Sequence, residues 1–229
     1  MKKQTWNKFW KEYEKPSEAE NWLIEERHKV LMKLINLINK KNKRRIKILE
    51  VGCGFASNSR LLLKEKFDVY CLDKSKVVIN KIKKDLKNSF VGNAFNLPFK
   101  NESFDIVFSA GLLEHFHKPE GIIKEMIRVT KKDGIILNFV PGRYSLWQLF
   151  RFFHGKNWKH GYEENYTHNK LFQKTKNNIK DIKLILKGGL DPFSINGLFI
   201  KIFKRRFIFK IPTFNENAFT EIYQAYQKF

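Results

Sequence analysis

The segment ILEVGCGFA at residues 48–56 decides the fold of this chain. Its first residues predict a buried strand, after which Gly52 and Gly54 let the backbone turn tightly and approach a ligand without an intervening side chain. The next predicted strand ends at Asp73, 19 positions beyond Gly54, and its carboxylate can accept hydrogen bonds from both hydroxyls of a ribose. The spacing therefore predicts a nucleoside-binding α/β domain.

Apolar strands alternate with helices through the middle of the chain. Strands are predicted at residues 46–51, 68–72, 89–92, 104–110 and 134–140, and helices at 58–66, 75–86 and 119–130. Continuous apolar strands that alternate with helices indicate a parallel sheet covered on both faces. We expect an α/β fold with a Rossmann-like, doubly wound, mostly parallel sheet of seven strands.

Two flanking regions extend the core at residues 46–142. Residues 1–45 predict an N-terminal helical cap, with an aromatic helix at 5–13 and a longer amphipathic helix at 17–40. Residues 143–229 form an aromatic, basic C-terminal extension that we expect to complete the sheet and cover the substrate. Its predicted elements are helices at 143–153, 167–176 and 218–228, a polar loop at 155–166, and strands at 182–186 and 207–211.

The glycine pattern narrows the class of nucleotide. A dinucleotide fingerprint needs a third glycine at position 57, where the chain has Ser57, and the phosphate-binding pattern G-x-x-x-x-G-K-[ST] is absent. Two further strands end at residues 92–94 and 109–111, on the rim where open α/β sheets bind ligands. A ligand with a ribose and an adenine but no phosphate fits this rim best.

Residues 46–142 resemble class I S-adenosylmethionine-dependent methyltransferases of the broad type-11 group. Five ordered motifs carry the resemblance. They are the glycine loop (Glu50, Gly52, Gly54, Ala56), Asp73 after the second strand, NAFNLPF at 93–99 followed by SFDIV at 103–107, AGLLEH at 110–115, and KKDG at 131–134.

The resemblance implies S-adenosyl-L-methionine as cofactor, with the glycine loop along its methionine, Asp73 on the ribose, and Asn93 and Ala94 beside the adenine. The family usually has a carboxylate where this chain has Asn93, whose amide oxygen can still accept a hydrogen bond. For Glu50 two interpretations stay open, a direct ligand contact or a hydrogen bond that ties the glycine loop. The cofactor-binding residues are then Glu50, Gly52, Cys53, Gly54, Asp73, Lys74, Asn93, Ala94, Phe95 and Ala110.

His115 is the candidate catalytic base, because it follows the fourth strand close to the expected position of the sulfonium. A base is required only if the acceptor carries a proton at the working pH. The same Glu-His pair is also compatible with a role in shaping the loop. No spacing of His, Cys and Asp residues indicates a metal site.

The chain is strongly basic, with 45 Lys+Arg against 23 Asp+Glu, a net charge of +22 and a pI near 9.9. The charge lies mainly in the flanks, since residues 1–47 carry +8, residues 48–142 carry +4 and residues 143–229 carry +10. An anionic partner would therefore meet the flanks, although a lysine-rich codon bias also accounts for part of the excess. The sequence indicates no oligomeric state.

Three classes of function remain open. Aromatic flanks favour a small-molecule or lipid-like acceptor, such as a quinone precursor, an isoprenoid or a glycolipid, bound by Trp10, Tyr144 and Trp147, with peripheral contact to an anionic membrane. Basic flanks also suit a methyltransferase that modifies tRNA or other RNA, although the D/N/S-P-P-Y/F motif of base-amine enzymes is absent. The third class is a methyltransferase-like subunit without catalysis.

The sequence predicts a cytoplasmic protein. Two cysteines cannot form a disulfide framework, the residues after Met1 lack the apolar core of a signal peptide, and no apolar run approaches the ~20 residues of a membrane span.

Overall fold

The computed structural model describes residues 6–39, 46–143, 162–176, 181–190 and 221–229. Within them, a sheet of seven strands has helices on both faces. The helices are α1 (Trp6–Glu12), α2 (Glu18–Asn39), α3 (Ser57–Lys64), α4 (Lys76–Ile82), α5 (Glu120–Val129) and α6 (His168–Lys176), with a 3₁₀ turn at Leu113–His115. The strands are β1 (Lys47–Val51), β2 (Asp68–Asp73), β3 (Ser89–Val91), β4 (Phe104–Ala110), β5 (Thr130–Pro141), β6 (Ile182–Leu190) and β7 (Glu221–Lys228).

The strand order is β3-β2-β1-β4-β5-β7-β6. Strands β1 to β5 pair in parallel, whereas β7 runs antiparallel to both of its neighbours, β5 and β6. The expected doubly wound, mostly parallel sheet of seven strands is therefore confirmed. Because the order reverses beside β1, the carboxyl ends of β1, β2 and β4 form one crevice in which such sheets bind ligands.

Each face of the sheet is closed by its own apolar layer. On one face, α2 contributes a fully buried stripe that includes Leu31, Leu34 and Ile35 and packs with residues such as Ile48 and Phe108. On the other face, α5 contributes Ile122, Ile123 and Met126, against residues such as Val107 and Ile136. This double burial explains why β1 and β4 read as continuous apolar runs.

The prediction of a final helix at 218–228 is wrong for the part that the structure describes. Residues 221–228 form the strand β7 instead. Its apolar positions fit a helical period, but the strand pattern is equally present: Ile222 and Tyr226 face one layer, and Ala225 faces the other. Pairing with both β5 and β6 satisfies the backbone on each side of β7, which decides between the two patterns.

Other predicted bounds differ by a few residues. β5 begins at Thr130, directly after α5, rather than at residue 134, and β6 continues to Leu190 rather than ending at 186. The helix predicted at 143–153, apart from Arg143, and the strand at 207–211 lie outside the described residues. None of the helices that the structure describes has the length and apolarity needed to cross a membrane.

Candidate active site

The glycine loop after β1 has left-handed backbone at three positions. Gly52 has φ +69° and Gly54 has φ +49°, and Ala56, at the start of α3, has φ 55°. A Cβ atom at Gly52 would lie 2.6 Å from Leu112 Cδ1, and one at Gly54 would lie 2.6 Å from Trp10 Cη2. Both glycines are therefore required by conformation and by space.

Main-chain hydrogen bonds tie this loop to β2. The N–H groups of Gly52 and Cys53 both donate to the carbonyl oxygen of Leu72, at 2.8 and 3.0 Å. The Cys53 thiol is buried beside Cys71, and burial raises its pKa well above the usual range. Cys53 thus contributes backbone geometry rather than a reactive sulfur.

Asp73, at the end of β2, connects the loop to α4. Its Oδ2 accepts a hydrogen bond from Gly54 N at 3.0 Å, and its Oδ1 accepts one from Ser75 N at 2.8 Å. Burial raises the pKa of Asp73, while backbone donors, including the N–H of Lys74, act in the opposite direction. An ionised carboxylate has about four acceptor sites, so lone pairs remain for a ligand.

Glu50 is buried at 4% exposure, and its Oε2 accepts a hydrogen bond from Ser59 Oγ at 2.5 Å. Burial raises the pKa of Glu50 to about 7. Because Ser59 lies in the first turn of α3, this bond fixes the strand to the helix on the other side of the glycine loop. The geometry matches the second of the two interpretations of Glu50, a tie for the loop.

The segment after β3 forms a tight turn beside two exposed apolar side chains. Asn93 Oδ1 accepts a hydrogen bond from Phe95 N at 3.1 Å, and Ala94 is buried behind it. Val91 is 51% exposed and Phe95 is 42% exposed, which leaves apolar surface open beside the polar turn. Exposed apolar surface of this kind is suited to contact with a planar aromatic ring.

Ala110, the last residue of β4, leads into Gly111, whose φ of +73° turns the chain toward the 3₁₀ turn. Gly111 N donates to Phe139 O at 3.2 Å, which fixes the end of β4 against β5. Ala110 therefore stands at the centre of the rim, between the glycine loop and the turn that carries His115.

His115 is oriented by a residue far along the chain. Its Nδ1 lies 2.9 Å from the carbonyl oxygen of Tyr162, and its ring meets the ring of Trp6 edge-on at 4.8 Å between centroids. Because a carbonyl oxygen only accepts, Nδ1 carries the hydrogen and the lone pair of the neutral ring is on Nε2. Burial lowers the pKa of His115, which favours this neutral form.

Of the predicted substrate-binding residues, Trp10 lies on α1 with its indole against Gly54. Tyr144 and Trp147 lie outside the described residues. Among the residues that the structure describes, no group of three His, Cys, Asp or Glu side chains could hold a metal ion.

A buried charged cluster beside the rim was missed in the sequence. Arg27 on α2 makes a bidentate ion pair with Glu221 on β7, with Nε donating to Oε2 at 2.8 Å and Nη2 donating to Oε1. Glu114 is 3% exposed, and burial raises its pKa to about 8. Arg27 and Glu221 are 194 residues apart in the chain, so no local spacing pointed to the pair.

Comparison with known proteins agrees with this geometry. Residues 49–138 match the methyltransferase domain family. The chain is 32% identical over 116 residues to 2-methyl-6-phytyl-1,4-hydroquinone methyltransferase 2 of Oryza sativa subsp. japonica, covering 48% of this chain and 33% of the relative. It is also 32% identical over 101 residues to demethylmenaquinone methyltransferase of Thermotoga maritima, covering 42% and 44%.

A solved structure extends the likeness to the whole fold. Magnesium protoporphyrin IX methyltransferase from Synechocystis PCC 6803, determined with bound SAH, superposes with a TM-score of 0.61 at 12% identity, over 98% of this chain and 92% of that one. The chain spans about a third to a half of the length of the curated relatives that it matches. The geometry of the glycine loop and of the rim agrees with the family match. Residues 49–138 therefore form a methyltransferase domain of the S-adenosylmethionine-dependent type-11 family.

Proposed function

We propose that this chain is an S-adenosylmethionine-dependent methyltransferase that acts on a small-molecule or lipid-like acceptor. One observation carries the proposal: the hydrogen bond from Gly54 N to Asp73 Oδ2, which joins the glycine loop to the carboxylate at the end of β2. Within a type-11 domain, this bond presents a ribose-binding carboxylate and a side-chain-free loop at one rim.

In this proposal, residues of that rim bind the methyl donor S-adenosylmethionine. The glycine loop (Gly52, Cys53 and Gly54) offers close backbone approach, Asp73 retains acceptor lone pairs, and Val91 and Phe95 offer apolar surface for the base. Bound S-adenosylmethionine supplies an activated methyl group. The remaining tasks of the protein are to align the acceptor and to exclude water.

His115 is proposed to take the proton of an acceptor hydroxyl or amine. Its Nδ1 is engaged by the carbonyl oxygen of Tyr162, which leaves the Nε2 lone pair available. A lowered pKa keeps the ring neutral near pH 7, the form that can act as a base. Trp6 packs against the same ring and supplies an aromatic wall beside the imidazole.

The proposed acceptor is a quinone precursor or a related lipid. The ring of Trp6 against His115 and the ring of Tyr162 against His117 favour a planar, apolar molecule. Two relatives are named for a phytyl hydroquinone and for demethylmenaquinone. We assign acceptor binding to the helical cap at 1–45 and to the extension at 143–229, around the donor-binding core at 46–142. The positive charge of these flanks would assist approach to an anionic membrane, where such lipids lie.

Two measurements test the proposal. Calorimetric titration with S-adenosylmethionine should show binding, and absence of binding at millimolar donor would contradict the donor assignment. Protein and labelled donor are then incubated with a panel of prenylated hydroquinones in vesicles and, separately, with unmodified tRNA. Transfer of label to a hydroquinone is expected. Label in tRNA alone would instead favour an RNA-modifying enzyme, and donor binding without transfer to any acceptor would favour a binding subunit.

A further inference from the structure

The short helix α1 lies across the ligand-binding rim at three points. Trp10 places its indole on Gly54 of the glycine loop, and Asn7 Oδ1 accepts a hydrogen bond from Ser75 Oγ at 2.7 Å. Trp6, near the start of the helix, meets the ring of His115. The helix therefore contacts the donor loop, the residue two positions after the ribose carboxylate, and the proposed base.

The dimensions of α1 suit this bridging position. A helix of seven residues is about 10 Å long. The ends of β2 and β4 flank β1 on either side, so they are two strand spacings, or about 10 Å, apart. One short helix thus spans the crevice from the donor side to the His115 side.

No residue of α1 is buried, which distinguishes it from the helices that pack on the sheet. The helix is instead held at its end by Lys81 of α4. Lys81 Nζ donates to the carbonyl oxygens of Trp10 at 2.6 Å, Tyr13 at 3.0 Å and Lys11 at 3.3 Å. The last carbonyls of a helix have no partner within the helix and carry its partial negative charge, so an ammonium group suits this position.

A short irregular link joins α1 to α2. Ser17 and Glu20 form a reciprocal cap at the start of α2, with Ser17 N donating to Glu20 Oε2 at 2.8 Å and Glu20 N donating to Ser17 Oγ at 3.3 Å. This cap fixes the first turn of α2, whose later turns are buried against the sheet. Residues 14–16 lie between α1 and this cap, outside both helices.

We propose that α1 is a lid over the donor site and that Lys81 is the latch that holds it closed. The proposal rests on the proposed function, because a ligand in the crevice is covered by α1 and must pass it to enter or leave. Lys81 acts through the position of α1, so it is a positioning residue. Closing α1 also brings Trp6 to His115, so the same movement completes the wall beside the proposed base.

The test is the rate of ligand exchange in Lys81→Gln. S-adenosylhomocysteine is the probe, and its association and dissociation are followed by stopped-flow tryptophan fluorescence. The variant is expected to release the probe roughly threefold to tenfold faster than the wild type and also to bind it faster, because a looser lid opens more often. Lys83→Gln is the matched control, since Lys83 is exposed and lies two positions away at the end of α4.

A second measurement follows the lid itself. Trypsin cleaves after Lys8 and Lys11 within α1, and the probe should protect these sites more strongly in the wild type and in Lys83→Gln than in Lys81→Gln. Equal exchange rates and equal protection in all three proteins would overturn the lid while leaving donor binding intact. Failure of the wild type to bind the probe would overturn both the proposed function and the lid, so the two failures are distinguishable.

Discussion

The rim has two sides that are built by different means. The proposed donor side consists of the glycine loop and Asp73, and the proposed acceptor side surrounds His115. On the donor side, main-chain groups make the deciding contacts, because the N–H groups of Gly52, Cys53 and Gly54 reach Leu72 and Asp73 on the adjacent strand. On the acceptor side, His115 depends on the carbonyl of Tyr162, 47 residues further along the chain. The donor side therefore follows from local backbone geometry, and the acceptor side from contacts between residues that are far apart in the chain.

The largest effect on stability is expected from a variant that removes the long-range ion pair between Arg27 and Glu221. Arg27→Met removes the partner of Glu221, whose side chain is 6% exposed, and leaves a buried charge without compensation. We expect a loss of about 3–5 kcal/mol in the free energy of unfolding, measured by urea denaturation. The double variant Arg27→Met/Glu221→Leu should recover much of that loss. Lys29→Met, which removes an exposed pair with Glu26, should leave stability unchanged.

His115→Gln tests whether the acceptor side contributes chemistry as well as shape. We expect kcat/KM toward an accepted hydroquinone to fall by about 100-fold, the lower end of the range for general-base catalysis. Donor affinity should stay at the wild-type value, and the fall in wild-type activity at acid pH should disappear in the variant. Lys118→Gln, which changes an exposed side chain three positions further along the chain, is the control. A variant with full activity would leave His115 only a role in shaping the loop.

Asp73→Ala tests the donor side. The substitution removes the acceptor for Gly54 N and the proposed ribose contact, so donor affinity should fall by more than tenfold, or roughly 1.5–3 kcal/mol. Calorimetric titration with S-adenosylmethionine measures the change, and circular dichroism checks that the variant is folded. Unchanged affinity in a folded variant would refute the ribose assignment.

A pH dependence of stability is also expected to originate in the buried cluster. The pKa of Glu114 is raised from 4.5 to about 8 by burial, next to Glu221 and Arg27. Since the folded state binds this proton more tightly than the unfolded state, stability should fall as pH rises from about 4.5 to about 8. Glu114→Gln should flatten that decline, which is measured by urea denaturation at a series of pH values. An unchanged pH slope in the variant would exclude Glu114 as its origin.

Local sequence patterns predicted the elements whose partners are close in the chain. The strands β1 to β4 and the helices between them were placed within a few residues, because each strand is an apolar run followed by a turn or a helix. The left-handed positions at Gly52 and Gly54 also follow from the glycine pattern alone. Family membership was predicted from the same segment and is confirmed.

Features that depend on distant partners could not be predicted. The segment at 221–228 satisfies a helical period and a strand period together, and only its place between β5 and β6 makes it a strand. Likewise Lys81 is one of 36 lysines in the sequence, and nothing near it indicates that it meets α1 about 70 residues earlier. The charged cluster around Arg27 could not be predicted for the same reason.

The position of β7 between β5 and β6 also has a consequence for the order of folding. Residues 182–190 are synthesised before residues 221–228, yet within the described ranges the one strand that pairs with β6 is β7. Until β7 arrives, the free edge of β5 is an unpaired apolar strand that can pair with another chain. The long sequence separation between β5 and β7 also raises the contact order, which slows completion of the sheet. Arg27 would then find Glu221 only at the final step, so formation of this ion pair would report that the last strands have docked.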